Sequence, residues 1–460
     1  MALDSTPYVY YGQTTALCET CLQLIPAKIL FEDDAVYHLK RCPEHGAQKT
    51  RVAADIDFFH QSKQLIKPGD KPLTRQTEIV HGCPHDCGLC PDHEQHSCVA
   101  LIEINDACAW NCPVCFADAS PSKRTHLPLA QVEAMIDALI DSEGEPDVVQ
   151  ITGGEPTEHP NILEILRLAK RKPIRHLMLN TNGARIAGDA DFVAQLAELR
   201  PGFEVYLQFD AVSPAAVAAL RGSDVTDVRQ RALENLEHAG ISTTLVATVK
   251  NGVNSDELGA IIDHALSWRC VRGVTFQPIQ DAGRNPNFDK QRDRMLLGDI
   301  RNGIAQQSRH FEKADIIPLP CNPEGIAIAY GLRNGDELVP VTRMIPLQEL
   351  VAAAPNSISF EKNAELRARL MQTCSLSSEE LNAAERMESL LCCLPRIPAP
   401  ENLGYADIFR IAIVQFLDRY NFCLGAVKRS CIHFVTPDLK IVPFDTYNLF
   451  HRQPLTPGNA

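Results

Sequence analysis

Three cysteines stand close together at Cys108, Cys112 and Cys115, in the spacing C-x3-C-x2-C. Three thiolates on one short loop can bind three irons of a [4Fe–4S] cube and leave the fourth iron open to a ligand. A structural zinc knuckle is the alternative, but it normally takes a fourth protein ligand and C-x2-C pairs. We therefore expect an iron–sulfur cluster with one open coordination position.

A second motif, Thr152-Gly153-Gly154-Glu155-Pro156, ends the strand that we predict next along the chain. Two glycines allow a ligand to approach the backbone closely, because they carry no Cβ. Glu155 adds a carboxylate that suits an ammonium group. The motif is weak alone and gains weight because it follows the cysteine loop by one β-α-β step.

Together, these two motifs resemble those of the radical S-adenosylmethionine (SAM) superfamily, and the resemblance covers residues 100 to 280. It implies that Cys108, Cys112 and Cys115 bind the catalytic [4Fe–4S] cluster, whose open iron chelates the amino and carboxylate groups of SAM. It also implies an enzyme that cleaves SAM to a 5′-deoxyadenosyl radical, which takes hydrogen from unactivated carbon.

The same resemblance implies which residues surround SAM. Gly153, Gly154 and Glu155 are expected to meet its amino group. The other expected contacts are Val114 and Phe116 beside the adenine, Asn180 and Asn182 at the ribose, and Gln208 and Asp210 at the same mouth. For the last four residues, a role as a strand-end cap or turn is the alternative.

A further cysteine pattern, C-x3-C-x2-C-x7-C, precedes these motifs and consists of Cys83, Cys87, Cys90 and Cys98. Four thiolates are enough to complete an auxiliary [4Fe–4S] cluster. A zinc site built from the same cysteines is the alternative, with His85, His93 and His96 available as substitute ligands.

Two more groups could bind metal. CxxC followed by CxxH is typical of a zinc ribbon or a rubredoxin-type mononuclear iron site, and here it consists of Cys18, Cys21, Cys42 and His45. We favour a structural metal, with an electron-relay iron as the alternative. For His45, the alternative to a ligand role is that of a turn residue before Gly46. In the C-terminal third, a third cluster would draw on Cys321, Cys392 or Cys393, and Cys431, with buried free cysteines as the alternative.

The elements that position these residues alternate between strands and helices. The predicted strands cover 99–105, 146–152, 174–180, 203–209, 242–249 and 271–279. This alternation predicts parallel βαβ units, and the motifs fall at the carboxyl ends of strands, where α/β barrels place their chemistry. We predict an α/β fold, a partial (β/α)6 TIM-like barrel of radical SAM type. An open doubly wound sheet is the alternative.

We divide the chain into four parts. These are a zinc-ribbon or rubredoxin-like metal domain at 1–70, an auxiliary cluster segment at 71–98, the core barrel at 99–310 and a C-terminal α+β extension at 311–460. In the extension we expect helices near 361–372, 377–391 and 406–420, then a hairpin or short strands from Cys431 onward.

Composition excludes some functions. The chain has 460 residues, 17 cysteines and a net charge of −14, which argues against a generic nucleic-acid binder. No stretch approaches the roughly 18 apolar residues of a membrane span, and the start lacks a signal-peptide pattern, so we expect a cytoplasmic protein that could still contact a membrane peripherally. The expected partners are a small-molecule or lipid substrate and a low-potential electron donor such as ferredoxin or flavodoxin.

Nearly the whole chain is similar to one radical SAM subfamily, which includes archaeal tetraether lipid synthase and 7,8-dihydro-6-hydroxymethylpterin dimethyltransferase-like proteins. The resemblance implies one or two auxiliary [4Fe–4S] clusters, and C–C bond formation or alkylation at unactivated carbon. We favour lipid chains as substrate, with methyl transfer to a pterin or another small heterocycle as the alternative. Ser430 and Asp445 stand where the subfamily has cysteines. The C-terminal cluster could therefore be absent, differently ligated or held partly by Asp445.

Overall fold

The computed structural model describes residues 7–334, 337–353, 407–453 and Leu455. Cys392 and Cys393 lie outside the described residues, as do the helices predicted near 361–372 and 377–391. Within the described ranges, no helix has both the length and the apolar character needed to cross a membrane.

The N-terminal part is a four-stranded antiparallel sheet with the strands in sequential order. Its strands are β1 (Val9–Leu17), β2 (Leu24–Glu32), β3 (Ala35–Cys42) and β4 (Gly46–Ala53). Helix α1 (Ile56–Gln64) follows, and Asp55 begins it by accepting a hydrogen bond from Phe58 N. Sequential antiparallel strands need only short turns, and two such turns carry the predicted metal ligands.

The core holds the six predicted parallel strands, in sequential order within one sheet. They are β5 (Val99–Glu103), β6 (Val148–Thr152), β7 (His176–Thr181), β8 (Phe203–Gln208), β9 (Thr243–Val249) and β10 (Val271–Pro278). The intervening and following helices are α2 (Leu129–Glu143), α3 (Ile162–Arg171), α4 (Ala184–Gly188), α5 (Ala190–Ala197), α6 (Pro214–Arg221), α7 (Thr226–His238), α8 (Leu258–Leu266) and α9 (Leu297–Gln307). The partial barrel is confirmed.

Side-chain alternation along the strands separates the helix-facing core from the barrel interior. On β7, Leu177 and Leu179 join the large apolar core, while Met178 and Asn180 line an interior cavity. This follows from the two-residue period of a strand, which sends successive side chains to opposite faces. The polar residues of the core strands therefore gather inside the barrel.

C-terminal strands extend the same sheet at both of its edges. They are β11 (Ile317–Pro318), β12 (Ile326–Asn334), β13 (Glu337–Pro340), β14 (Ile408–Val414), β15 (Ile432–Val435) and β16 (Ile441–Pro443). Short helices accompany them at α10 (Leu347–Ala353), α11 (Leu424–Val427) and α12 (Phe444–Thr446). β14 lies parallel to β10, and β15 lies parallel to β5.

The helix predicted at 406–420 is wrong, because β14 occupies Ile408–Val414. A short apolar run does not distinguish a buried strand from a buried helix by periodicity. Here the run pairs with β10 on one side and β12 on the other, which satisfies its backbone hydrogen bonds as a strand. The hairpin expected after Cys431 is confirmed as the antiparallel pair β15–β16.

The two edges of the twelve-stranded sheet meet and close the barrel. Phe416, which follows β14, stacks on Phe444, which follows β16, with ring centroids 3.6 Å apart. A second apolar core contains residues from both edges, among them Ile328 of β12 and Ile432 of β15. We call this junction between the β11–β12 edge and the β15–β16 edge the seam.

Candidate active site

The three cysteines of the C-x3-C-x2-C loop line one cavity at the carboxyl ends of the core strands. Cys108 and Cys112 are buried, and Cys115 is half-buried. Burial raises the pKa of the Cys108 thiol to about 12. A buried thiol of this kind ionises when a metal binds it, because the positive charge stabilises the thiolate. The loop thus presents the donor set that a [4Fe–4S] cluster requires.

Arg284, in the segment after β10, holds the cysteine loop in place. Its backbone N–H donates to Cys115 O at 2.8 Å, and Arg284 O accepts from Cys115 N at 2.9 Å. Its guanidinium donates to Cys112 O at 2.8 Å and to Ala119 O at 2.7 Å. Sequence reasoning missed this residue, since it lies in no motif and far from the cysteines along the chain.

The glycine pair of GGEP lies directly against the start of the cysteine loop. A Cβ on Gly154 would stand 2.2 Å from Ala107 O. Gly154 N donates to Asn105 O at 2.9 Å, and Glu155 N donates to Ala107 O at 2.7 Å. Glycine is therefore required here for close approach of the chain to itself, in addition to any approach by a ligand.

The Glu155 carboxylate is buried and accepts several hydrogen bonds. Its Oε1 accepts from Thr157 Oγ1 at 2.5 Å, from Thr157 N at 3.1 Å and from Thr181 Oγ1 at 2.6 Å. Its Oε2 accepts from Asn182 N at 2.7 Å. Burial raises the pKa of Glu155, and these donors oppose that rise. The carboxylate thus joins the ends of β6 and β7 beside the cavity.

Asn180, Asn182 and Gln208 line the same cavity, as predicted, together with Val114 and Phe116. Asn180 Oδ1 accepts from Gln208 Nε2 at 3.0 Å. Asn182 Oδ1 accepts from the backbone N–H of Ala184, the first residue of α4, at 2.8 Å.

Two buried polar atoms of this cavity lack a hydrogen-bond partner in the described part of the chain. They are Asn182 Nδ2 and Gln280 Oε1. A buried polar group normally has a partner, so these atoms indicate a polar ligand. Three thiols beside unpartnered donors and acceptors fit an iron–sulfur cluster with a polar ligand such as SAM.

Asp210 does not face the cavity, which corrects the prediction. Its carboxylate is fully buried and pairs with Arg221 at 2.5 Å and Arg229 at 2.6 Å. Burial alone would raise the pKa of Asp210, but the two guanidinium groups hold it below its ordinary value. Arg221, rather than Asp210, lines the cavity, and it also donates to Gln208 Oε1 at 3.2 Å. Asp210 therefore positions an arginine that sequence reasoning missed.

A second cavity adjoins the first and occupies the barrel interior. Its wall combines apolar side chains with four amides, Gln150, Asn180, Gln208 and Gln277. Further polar groups of the wall are His176, Tyr206, Thr244, Thr275 and Arg410.

The N-terminal metal group assembles as predicted. The ligand atoms of Cys18, Cys21, Cys42 and His45 all lie within 4.8 Å of one another. Cys21 Sγ stands 3.9 Å from Cys42 Sγ, and His45 Nδ1 stands 3.5 Å from Cys42 Sγ and 3.6 Å from Cys18 Sγ. These separations fit one ion with tetrahedral ligands.

The predicted set Cys83, Cys87, Cys90 and Cys98 does not stay together. Cys83, Cys87 and Cys90 line one small cavity, whereas Cys98 gathers with Cys321 and Cys431. The chain turns away between Cys90 and Cys98, where Glu94 N donates to Lys428 O at 2.7 Å. Sequence spacing could not show this, since the new partners of Cys98 lie more than 200 residues away.

Cys321 and Cys431 do meet, as predicted for the C-terminal group, with their sulfurs 3.8 Å apart. Asp445 is not among the residues whose ligand atoms gather there in the described structure. Its carboxylate accepts from Leu417 N at 2.6 Å, and burial raises the pKa of Asp445 to about 6.

Comparison with known proteins agrees with this geometry. The radical SAM superfamily profile matches residues 102–265, and the HMPTM N-terminal zinc ribbon domain profile matches residues 10–54. A 7,8-dihydro-6-hydroxymethylpterin dimethyltransferase of Methanocaldococcus jannaschii is 30% identical, over 96% of this chain and 94% of the relative. A GTP 3′,8-cyclase of Chlorobaculum tepidum is 27% identical, over 49% of this chain and 69% of the relative.

Among solved structures, SuiB of Streptococcus suis bound to S-adenosylmethionine is 17% identical, with a TM-score of 0.39, and the match covers 45% of this chain and 46% of that chain. The long match to the dimethyltransferase extends from the zinc ribbon through the core barrel into the C-terminal strands. This chain belongs to the radical SAM superfamily of enzymes, in the family that carries the HMPTM N-terminal zinc ribbon.

Proposed function

We propose that this enzyme transfers methyl groups to a carbon atom of a pterin or a similar small heterocycle. The support is the similarity over almost the whole chain to a relative named as a pterin dimethyltransferase, together with the amides set in the apolar wall of the barrel interior. In this proposal Cys108, Cys112 and Cys115 hold the catalytic cluster. When bound, the cluster and SAM would supply one-electron cleavage of the sulfonium and hydrogen abstraction from carbon. Because that cleavage leaves the methyl group on methionine, a second SAM would supply the methyl to the substrate radical and leave as S-adenosylhomocysteine, with a second electron from the reductant.

The amides inside the barrel carry this proposal. Gln150 Oε1 lies 3.4 Å from Asn180 Nδ2, Asn180 bonds to Gln208, and Gln277 Nε2 donates to Tyr206 OH at 3.2 Å. These contacts fix the orientation of the amides and leave further donors and acceptors for a ligand. The edge of a pterin ring alternates donors and acceptors in the same way.

A lipid chain fits this interior less well. Each polar group left without a partner beside an alkyl chain would cost about 1–3 kcal/mol. The stacked rings of Phe416 and Phe444 border both cavities and offer a flat apolar face that suits an aromatic heterocycle. The wall thus favours the heterocycle over the lipid chain that the sequence analysis preferred.

A charged group lies at the strand face beside the amides. Glu204 is fully buried, accepts from His176 Nε2 at 3.1 Å and pairs with Arg410. Arg410 and His176 belong to the cavity wall, so Glu204 orients two groups that can hydrogen-bond to a substrate.

The test is an assay with 7,8-dihydro-6-hydroxymethylpterin under anoxia. Reconstituted enzyme, SAM with a deuterated methyl group and a low-potential reductant are incubated with the pterin, and products are analysed by mass spectrometry. We expect a pterin product that carries one or two labelled methyl groups. In Gln150→Leu, at a residue that lines the barrel interior but not the cavity of the three cysteines, we expect about 10-fold less product, from the loss of about one hydrogen bond to the substrate, while SAM cleavage continues.

The control variant is Gln230→Leu, whose amide lies on the exposed face of α7 and bonds only locally to Glu234. It should leave both SAM cleavage and methylation unchanged. Methyl transfer to none of a panel of pterins, combined with coupling of alkyl chains in a parallel lipid assay, would refute the heterocycle proposal in favour of the lipid one.

Cys83, Cys87 and Cys90 form the second part of the proposal. We assign them to an auxiliary [4Fe–4S] cluster, since three thiols on one loop surround a single small cavity. His93 also lines that cavity. A low-potential protein such as ferredoxin or flavodoxin would supply electrons.

A further inference from the structure

Three fully or almost fully buried cysteines meet at the seam. Cys98 directly precedes β5, Cys431 directly precedes β15, and Cys321 lies in the loop between β11 and β12. Their sulfurs all lie within 4.8 Å of one another, and Cys321 Sγ stands 3.8 Å from Cys431 Sγ. The group therefore draws its members from both edges of the sheet.

A histidine lies beside the three sulfurs and contacts one of them. His96 Nε2 lies 3.4 Å from Cys98 Sγ. On its other side, His96 Nδ1 lies 3.0 Å from Glu143 Oε2, in a hydrogen bond or ion pair with a carboxylate that is itself buried. Metal-binding histidines almost always donate their second ring nitrogen to a carboxylate or carbonyl, which fixes the tautomer and the ring orientation. With Nδ1 engaged by Glu143, Nε2 is the ring nitrogen on the side of the Cys98 sulfur.

The separations between the three sulfurs fit a single ion. Zn–S bonds of about 2.3 Å and Zn–N bonds of about 2.0 Å give a tetrahedron with S–S edges of about 3.8 Å and S–N edges of about 3.5 Å. The 3.8 Å between Cys321 Sγ and Cys431 Sγ and the 3.4 Å between Cys98 Sγ and His96 Nε2 match two of these edges. The three sulfurs already lie within 4.8 Å of one another, and the His96 ring would shift towards Cys321 and Cys431 when the ion binds. The zinc ribbon of the same chain shows the same pattern, with 3.9 Å between two sulfurs and 3.5 Å between sulfur and nitrogen.

An iron–sulfur cube does not fit this group. In a [4Fe–4S] cluster each thiolate binds a different iron, so the iron–iron separation is added to the distance between the sulfurs. The cysteines of the seam stand too close together for that arrangement. The cluster expected from Cys321 and Cys431 is therefore replaced by a smaller centre.

We propose that His96, Cys98, Cys321 and Cys431 bind one tetrahedral divalent ion, zinc or ferrous iron, which fastens the two edges of the barrel together. We call this group the seam site. It lies at the amino end of β5, whereas the Cys108 loop lies at the carboxyl end of the same strand. With four protein ligands the ion has no open position, which is typical of a structural site.

Neighbouring contacts hold the same junction. Arg429, two residues before Cys431, pairs with Glu324 of the β11–β12 loop. Gln95 Nε2 donates to Cys321 O at 3.1 Å, and Val99 N donates to Cys431 O at 3.1 Å. The backbone around each ligand is thus already fixed, which reduces the ordering that binding an ion requires.

Metal analysis of the full-length, anaerobically purified holoenzyme tests the proposal. We expect two mononuclear ions in each chain, one in the zinc ribbon and one in the seam site. Cys321→Ser should lose one of these ions and keep the iron of the clusters. Zinc K-edge X-ray absorption, which does not detect iron, should report an average of three sulfur ligands and one nitrogen ligand for each zinc ion. If the ion is ferrous iron, Mössbauer spectra should show a high-spin tetrahedral site that Cys321→Ser removes.

Matched variants separate this result from general damage to the fold. Cys423→Ser should keep both ions, because Cys423 contacts Thr14 and belongs to neither metal group. Cys42→Ser should lose the ribbon ion alone. If Cys321→Ser is insoluble, His96→Ala should lose the seam ion and His96→Cys should restore it. Loss of about four irons on changing Cys321, or no loss of metal, would overturn the proposal.

Hydrogen exchange tests the fastening role. In Cys321→Ser, amides of β12 and β15 should exchange at least 10-fold faster, while amides of β7 and β8, in the middle of the sheet, should be unchanged. Equal exchange in the variant and the parent at β12 and β15 would show that the ion does not hold the seam.

Discussion

At the scale of single residues, the polar atoms around the active-site cavity differ in whether they already have a hydrogen-bond partner in the protein. The Glu155 carboxylate accepts hydrogen bonds from three residues, and the Asp210 carboxylate forms salt bridges with two arginines. Asn182 differs from both, because its Oδ1 accepts from the backbone of Ala184 while its Nδ2 has no partner within the described residues. One side chain thus combines a structural contact with a donor available to a ligand.

Asn182→Asp separates these two roles. Aspartate keeps an oxygen that accepts from Ala184 N, but it replaces the amide donor with an acceptor. We expect the fold to be retained and SAM to bind about 10- to 100-fold more weakly, from the loss of about 1–3 kcal/mol at a buried polar contact. Equilibrium dialysis of SAM against the reconstituted enzyme measures this change.

Asn251→Asp is the control, because Asn251 lies on an exposed turn and its amide donates to Arg292 O. It should leave SAM affinity unchanged. Unaltered affinity in Asn182→Asp would show that Nδ2 does not contact the ligand.

At the scale of elements, the cysteine loop depends on strand ends that come from other parts of the chain. GGEP after β6 forms hydrogen bonds with the start of the loop, and Arg284 after β10 binds its middle and end. A loop of this length has little core of its own, so its conformation is set by these neighbours. Gly153 and Gly154 allow the GGEP segment to approach the start of the loop, and Gly283 allows the Arg284 segment to approach Cys115.

Gly154→Ala tests this dependence. The added methyl group would stand 2.2 Å from Ala107 O and 2.9 Å from Ala119 Cβ, so the loop would have to move. We expect a loss of about 1–3 kcal/mol of stability, the usual cost of overpacking, together with a large loss of SAM cleavage. Thermal unfolding and 5′-deoxyadenosine production measure the two effects.

Gly188→Ala provides the comparison, because a Cβ on Gly188 would meet nothing within 4 Å. Its stability should be unchanged or slightly higher, since alanine is the better helix former at the end of α4. Equal behaviour of the two variants would mean that the loop tolerates displacement at Gly154.

At the scale of the whole molecule, the C-terminal strands turn an open sheet into a barrel. Arg410 of β14 pairs with the fully buried Glu204 of β8, across 206 positions of sequence. Burial alone would raise the pKa of Glu204, but Arg410 and His176 hold it well below its usual range. The stabilisation by this pair is therefore fully present above the ordinary glutamate pKa and is lost as pH falls through the lowered one.

Arg410→Met should destabilise the fold by about 3–5 kcal/mol at pH ~7.5, because it leaves a buried carboxylate without its cation. In the variant, burial would raise the pKa of Glu204, so protonation relieves the penalty as pH falls. The difference in stability from the parent should therefore shrink between pH ~7.5 and ~5. Thermal or urea unfolding at several pH values measures it.

Arg309→Met serves as the reference, since the Arg309–Asp263 pair is largely exposed. It should change stability by less than about 1 kcal/mol at any pH in this range. A difference for Arg410→Met that stays constant, or grows towards acid, would show that Glu204 is not the group responsible.

Local spacing in the sequence determined the features whose parts lie close together along the chain. The Cys108 loop, the Cys18–His45 ribbon and the alternating strands and helices of the core are of this kind, because each depends on one turn or one periodic segment. The residues predicted to contact SAM, apart from Asp210, line one cavity, since strand ends of a parallel sheet meet at one edge.

Only the tertiary structure decided the features that join distant segments. Arg284 on the cysteine loop, β14 as a strand, Arg221 in the cavity wall and the partners of Cys98 all depend on contacts across many residues. Cys98 and Cys90 are near each other in sequence, yet closure of the barrel brings Cys98 to Cys321 and Cys431. Spacing specifies which ligands share a loop, but the folded sheet determines which loops meet.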